Sequence, residues 1–188
     1  MDHFIFQIIW YIGMYAPILL ILISLFVLRN KAHLLLYFIL GLIINLPINV
    51  LLKHFFREPR PLENKEYIDS LKTHHKLIHF DRYGMPSGHA QYSSYCIAFL
   101  LFSLGFVNVH KYSSLFLLCF FVFVCTLYQR YFSKSHTILQ LVAGTVLGSF
   151  LGYVFFSLCV QNRKMIQGEL GVRSPRKKEI VYSDNFVA

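Results

Sequence analysis

Charge is what this sequence has least of. Only 14% of its 188 residues are Asp, Glu, Lys or Arg, and just nine are acidic. Hydrophobic residues make up 56% and the mean hydropathy is +0.52, which excludes an ordinary soluble domain. No carboxylate cluster is present to hold a divalent cation. Cysteine is scarce as well. Cys96, Cys119, Cys125 and Cys159 lie inside apolar stretches without paired spacing. That excludes a disulfide framework or a cysteine zinc site and leaves them as small packing residues. Internal repeats and low-complexity tracts are absent. The first apolar run is too long for a signal-peptide core and almost lacks a basic leader, so it is expected to stay as an anchor.

Apolar length fills the chain instead. Phe4–Leu28, Leu34–Leu52, Ala90–Val109, Tyr112–Gln129 and Thr137–Val160 contain no Asp, Glu, Lys or Arg. Each approaches the roughly 20 residues a helix needs to cross a bilayer. Five such runs predict an all-α fold, a polytopic membrane helix bundle of about five transmembrane helices. One domain is expected over residues 1–160, followed by a basic, flexible tail over 161–188. The 18 basic residues lie in loops, in the tail and beside span ends. There they act as topology signals, headgroup contacts and anion ligands, so the bilayer is a partner and nucleic acid is not.

The stretch Tyr83-Gly84-Met85-Pro86-Ser87-Gly88-His89-Ala90 stands where a charged loop meets an apolar segment. Pro86 suits the first turn of a helix. Ser87 and Gly88 are then expected to leave their backbone N–H groups unpaired at the positive helix end, a setting for phosphate or another oxyanion. His89 adds an imidazole beside it. Taken alone, these residues read equally well as an ordinary helix start.

Upstream, Asn45, Asn49 and Lys53 are spaced four apart and share a helical face that must look into the bundle. The asparagines suit hydrogen bonding between helices, and Lys53 at the mouth of the stripe is the functional member. Pro59 and Pro61 hold the chain extended around Arg60. Downstream, a short turn at Val109-His110-Lys111 should separate spans three and four. Span four ends at Arg130, and a tight connection brings in His136. On span five His136, Gln140, Gly144, Gly148 and Gly152 repeat every four residues, the glycines offering a flat face to a neighbouring helix. His74, His75 and His79 could suggest a metal site, but no carboxylate or cysteine pattern accompanies them and a solvated loop is the expectation.

With five spans, Lys53, Arg60, Ser87, Gly88, His89, Arg130 and His136 all meet at the membrane face that carries the N-terminus. Three cations, a helix N-terminus and two histidines form a site for a multiply charged oxyanion, with a nucleophile and a proton donor. A phosphate ester or anhydride fits such a site. Fixed cations can neutralise a transferring phosphoryl group, so neither metal nor cofactor is called for.

Lys53-x6-Arg60-Pro61, Pro86-Ser87-Gly88-His89 and Arg130-x5-His136 together resemble the three-part signature of the type 2 phosphatidic acid phosphatase superfamily, which includes vanadium haloperoxidases. The resemblance covers roughly residues 45–150. It implies that His136 is the nucleophile, forming a phosphohistidine, and that His89 protonates the leaving oxygen. Lys53, Arg60, Arg130 and the Ser87 and Gly88 amides would hold the phosphoryl oxygens, without a metal.

Two positions depart from the pattern: Gln129 stands where the family has Ser, and Gln140 where it has Asp. A carboxylate at 140 would orient the imidazole and stabilise its cation. Gln140 sits one turn past His136, and its oxygen can accept a proton from the far imidazole nitrogen and fix the tautomer. Simple packing between helices is the alternative. Glu58-Pro59-Arg60-Pro61, Tyr83-Gly84-Met85-Pro86-Ser87-x-His89-x-Gln91 and His136-Thr137-x-x-Gln140 resemble the dolichyl-diphosphatase branch, which also carries Gln here but usually has Ser in place of Gly88.

That resemblance implies an integral membrane hydrolase converting a polyprenyl (dolichyl-type) diphosphate to the monophosphate. Undecaprenyl diphosphate, lipid A and phosphatidate are alternative substrates. A non-catalytic protein that binds lipid phosphates is the alternative Gln140 motivates. Nine basic residues fall on each side of the membrane, and three on the site side are assigned to substrate. The site is therefore expected to be lumenal or extracytoplasmic, with the N-terminus outside and the C-terminus in the cytoplasm. The membrane would be the endoplasmic reticulum in a eukaryote and the inner membrane in a bacterium.

Overall fold

The computed structural model describes residues 2–61 and 83–169. His74, His75, His79 and the basic residues from Arg173 onward lie outside them. Five helices follow in order: α1 (Asp2–Leu28), α2 (Ala32–Phe56), α3 (Gly88–Leu100), α4 (Phe106–Phe132) and α5 (Ile138–Glu169), with a π turn at Leu101–Gly105. Among the described residues there is no strand, only an isolated antiparallel bridge between Pro59 and Tyr83.

Four of the helices, α1, α2, α4 and α5, are long and apolar enough to cross a bilayer. The third is different. It has 13 residues, a rise of about 20 Å, and it buries Gln91, Ser93 and Ser94. Large apolar side chains such as Phe55, Leu117 and Val146 face outward, while Asn45, Asn49, Lys53, Gln91, His136 and Gln140 are buried. A hydrocarbon solvent produces this inversion, because polar groups must find partners inside the bundle.

The polar side of α3 finds those partners on α2. Asn49 Nδ2 donates to Gln91 Oε1 at 2.6 Å and to Pro86 O at 3.3 Å. Gln91 Nε2 donates to the side-chain and main-chain oxygens of Asn45, the latter at 3.2 Å. The stripe at 45, 49 and 53 thus faces the interior, as its period predicts. Deeper in the bundle, Phe38, Tyr95 and Phe99 pack together, and Tyr95 donates its hydroxyl to Phe38 O at 2.8 Å.

On the other side of α3 lies the glycine face of α5. A Cβ on Gly148 would stand 2.0 Å from Gln91 O, and one on Gly144 would stand 2.4 Å from Ser87 O. Only glycine permits backbones this close.

Two boundaries differ from expectation. Val109-His110-Lys111 is not a turn but part of α4, and the departure from α-helical form falls earlier, at the π-helical stretch Leu101–Gly105. A straight helix would hold His89 and Arg130 about 60 Å apart, yet their side chains are hydrogen-bonded, so the chain folds back between them. The last helix also runs to Glu169, past the expected start of the tail at Gln161.

The glycine contact generates a stability prediction. Gly148→Ala forces α3 and α5 apart and costs about 1–3 kcal/mol, lowering the melting temperature in detergent by several degrees. Gly88→Ala, whose added carbon meets nothing closer than 3.6 Å, leaves it nearly unchanged. Equal melting temperatures for the two variants would remove the close-packing account.

Candidate active site

The site is assembled at one end of the bundle from four helix termini. Lys53 is buried in the last turn of α2. Arg57 then takes the left-handed conformation at φ 50°, its N–H still bonded to Lys53 O at 3.0 Å, and the chain leaves the helix. Glu58 and Pro59 run beside Tyr83 and Gly84. Pro59 bridges Tyr83, and Gly84 N–H donates to Glu58 O at 2.8 Å. This collar of two loop segments lies against Gln140, near the start of α5. A Cβ on Gly84 would sit 2.4 Å from Gln140 Oε1, so any side chain there would displace the Gln140 amide.

The start of α5 has a reciprocal cap. Gln140 N–H donates to Thr137 Oγ1 at 3.3 Å, and Thr137 N–H donates to Gln140 Oε1 at 3.2 Å. This is the capping-box arrangement of a Thr-x-x-Gln sequence. It folds the Gln140 side chain back over the helix end, where Oε1 lies 3.2 Å from His136 Nδ1. Gly84 O lies 3.0 Å from the same nitrogen. A main-chain carbonyl can only accept, so Nδ1 carries the proton and Nε2 keeps its lone pair. The geometry therefore leaves Nε2 as the unprotonated nitrogen of His136.

His136 is surrounded by positive charge. Burial, first of all, and then Arg60, Arg130 and Lys53 push its pKa well below the usual histidine range, with the Gln140 hydrogen bond acting weakly the other way. The three cations singled out in the sequence thus converge on this imidazole. His89 joins them through a hydrogen bond between Arg130 Nη2 and His89 Nε2. Arginine can only donate, so His89 Nε2 is the acceptor.

The start of α3 differs from the sequence-based expectation. Pro86 does not occupy the first helical turn. Ser87 is the N-cap and Gly88 the first helical residue, and the Met85–Pro86 peptide is cis. The Ser87 amide is also occupied, donating to Gln140 O at 3.0 Å. Gly88 N–H remains in the first turn, where no intrahelical acceptor exists. The buried Ser87 Oγ has no hydrogen-bond partner among the described residues, so the serine offers a hydroxyl in place of its amide.

Two contributors were missed in the sequence: Glu58, whose Oε1 accepts from Gln140 Nε2 at 3.2 Å, and the Gly84 carbonyl. Both belong to motifs quoted above, but nothing local announces a contact to residues some 50 to 80 positions away. The Thr137-x-x-Gln140 cap was legible as a helix start.

A cavity of about 600 Å³ opens beside His136, lined by Pro61, Tyr131, Phe132, Thr137 and Ile138 among others. It shares Tyr131, Phe132 and Ile138 with a second, almost wholly apolar cavity of about 480 Å³ between α4 and α5, which reaches Val146.

A buried imidazole of fixed tautomer, ringed by three cations next to a helix N-terminus, is chemistry suited to phosphoryl transfer at a membrane. Residues 32–164, more than half of the chain, match the PAP2 superfamily, and the chain belongs to it. That membership points to a phosphatase acting on lipid phosphates in the bilayer. No curated protein and no solved structure matches the chain significantly.

The charge around His136 can be measured directly. In 15N-histidine NMR titrations His136 stays neutral to well below the ordinary histidine range. Arg60→Gln removes one cation and moves that titration to higher pH, because the imidazolium is then less opposed. An unchanged titration would show that Arg60 does not face His136.

Proposed function

We propose that this chain hydrolyses a polyprenyl diphosphate of the dolichyl type to the monophosphate, through a phosphohistidine on His136 and without a metal. The observation that carries the reading is the fixed tautomer of His136, which frees Nε2 amid Lys53, Arg60 and Arg130. Nε2 attacks the terminal phosphorus, and the bond from that phosphorus to the bridging oxygen breaks. The cations and the Gly88 amide take the phosphoryl oxygens, with the Ser87 hydroxyl as a further donor. Arg130 turns from His89 to the phosphoryl group, which leaves His89 able to carry a proton on Nε2 and give it to the departing monophosphate. Water then attacks the phosphohistidine, His89 takes its proton, and inorganic phosphate and free His136 are released.

The lipid class rests on two supports. The Glu58-Pro59-Arg60-Pro61 and His136-Thr137-x-x-Gln140 motifs resemble the dolichyl-diphosphatase branch. The apolar cavity continuing from the site between α4 and α5 suits a long hydrocarbon chain lying about 12 Å down the helix, from Ile138 to Val146. An outward-facing site follows from the modest excess of basic residues assigned to the other side.

A substrate panel in detergent tests the reaction, comparing dolichyl, undecaprenyl and farnesyl diphosphates with phosphatidate. The dolichyl compound is expected to show the highest kcat/KM and farnesyl diphosphate a raised KM. EDTA should leave the rate intact. His136→Ala should abolish turnover, with labelled phosphate trapped on histidine in the parent only. Loss of activity in EDTA with recovery in Mg²⁺ would overturn the metal-free mechanism.

Orientation has its own measurement. A tag following Ala188 should be reachable only from the cytoplasmic side, and its appearance in the lumen or periplasm would reverse the assignment.

A further inference from the structure

The PAP2 signature places an acid one helical turn beyond its nucleophile, and this chain has Gln140 there. All four hydrogen-bonding positions of that amide are used. Oε1 accepts from His136 Nδ1 and from Thr137 N–H, both at 3.2 Å. Nε2 donates to Pro59 O at 3.0 Å and to Glu58 Oε1 at 3.2 Å. The amide cannot be turned over. Thr137 N–H can only donate and Pro59 O can only accept, so oxygen must face the histidine and nitrogen must face Glu58.

We propose that Glu58 is a positioning residue that supplies, through the Gln140 amide, the negative charge this chain lacks beside His136. The proposal rests on His136 being the nucleophile. A carboxylate drawing on Nε2–H polarises the amide and makes Oε1 a stronger acceptor. The His136 Nδ1–H bond tightens accordingly, and most of all when attack on phosphorus leaves the imidazole positively charged. Glu58 is held for this task by its own backbone. Its carbonyl accepts from Gly84 N–H at 2.8 Å, and the Gly84 carbonyl is the second acceptor for His136 Nδ1. One acidic side chain, two loop segments and the helix cap therefore close around a single imidazole nitrogen.

Glu58→Gln keeps an oxygen for Gln140 Nε2 and removes only the charge. In the full chain in detergent, with a polyprenyl diphosphate as substrate, kcat should fall roughly tenfold with KM unchanged. Gln140→Asp alone sets two carboxylates side by side, and adding Glu58→Gln to it should raise kcat. The same substitution is thus harmful in the parent and beneficial beside Asp at 140. A residue that merely holds the loop would be neutral or harmful in both backgrounds, and either outcome overturns the proposal. An independent reading is the His136 Nδ1 proton in 15N-labelled protein, which should move upfield in Glu58→Gln as its bond weakens. That signal is read whether or not substrate turns over. A parent without turnover would defeat the phosphatase reading, whereas an unmoved Nδ1 proton would defeat the role of Glu58.

Discussion

The seam between α3 and α5 is a contact of backbone against backbone, and the rest of the site depends on it. Gly144 and Gly148 offer no side chains, so the carbonyls of Ser87 and Gln91 occupy the space a Cβ would need. Across the same seam the Ser87 amide reaches Gln140 O. The first turns of α3 and α5 are thereby fixed to one another, each delivering a histidine to the same membrane face. Lipid provides no hydrophobic push between helices, so this association relies on close packing and on hydrogen bonds. On the opposite flank of α3, the amides of Asn45, Asn49 and Gln91 do the same work with a different chemistry.

Such rigidity matters because the site gathers like charges. Lys53 is buried, and Arg60, Arg130 and Lys53 all act on one sequestered imidazole. Cations brought together at a bundle mouth repel one another, and the repulsion is relieved when a multiply charged anion enters. Helices pinned by glycine contacts cannot splay to relax that strain. The fold therefore holds the three cations together at one imidazole. The neutral state of His136 belongs to the same field, since burial and these charges together keep the imidazole unprotonated.

Much of this was legible in the sequence. Uncharged runs announced the helices, the spacing of Asn45, Asn49 and Lys53 gave an interior face, and the four-residue period from His136 to Gly152 gave the seam. The failures have physical causes. His110 and Lys111 resemble a polar turn, whereas the departure from α-helical form is the apolar Leu101–Gly105, marked only by a terminal glycine. Pro86 fits a first helical turn, but the N-cap falls on Ser87 once the latter's amide is taken by α5. The contact of Glu58 with Gln140 has no periodic trace, since it joins a loop after the second helix to the cap of the last. The sequence reading of Gln140 covered its oxygen, which does face His136 Nδ1, and left open what lay behind its nitrogen.

The third helix also bears on how the protein enters its membrane. With 13 residues and with Gln91, Ser93 and Ser94 along it, α3 lacks both the length and the apolarity that let a segment partition into lipid by itself. Its polar groups are answered by α2, already made, but its close-packed side is answered by α5, which is made only after α4. Until the final helix arrives, the segment bearing His89 has only half its surroundings. Settling of α3 in the bilayer is consequently tied to the arrival of α5.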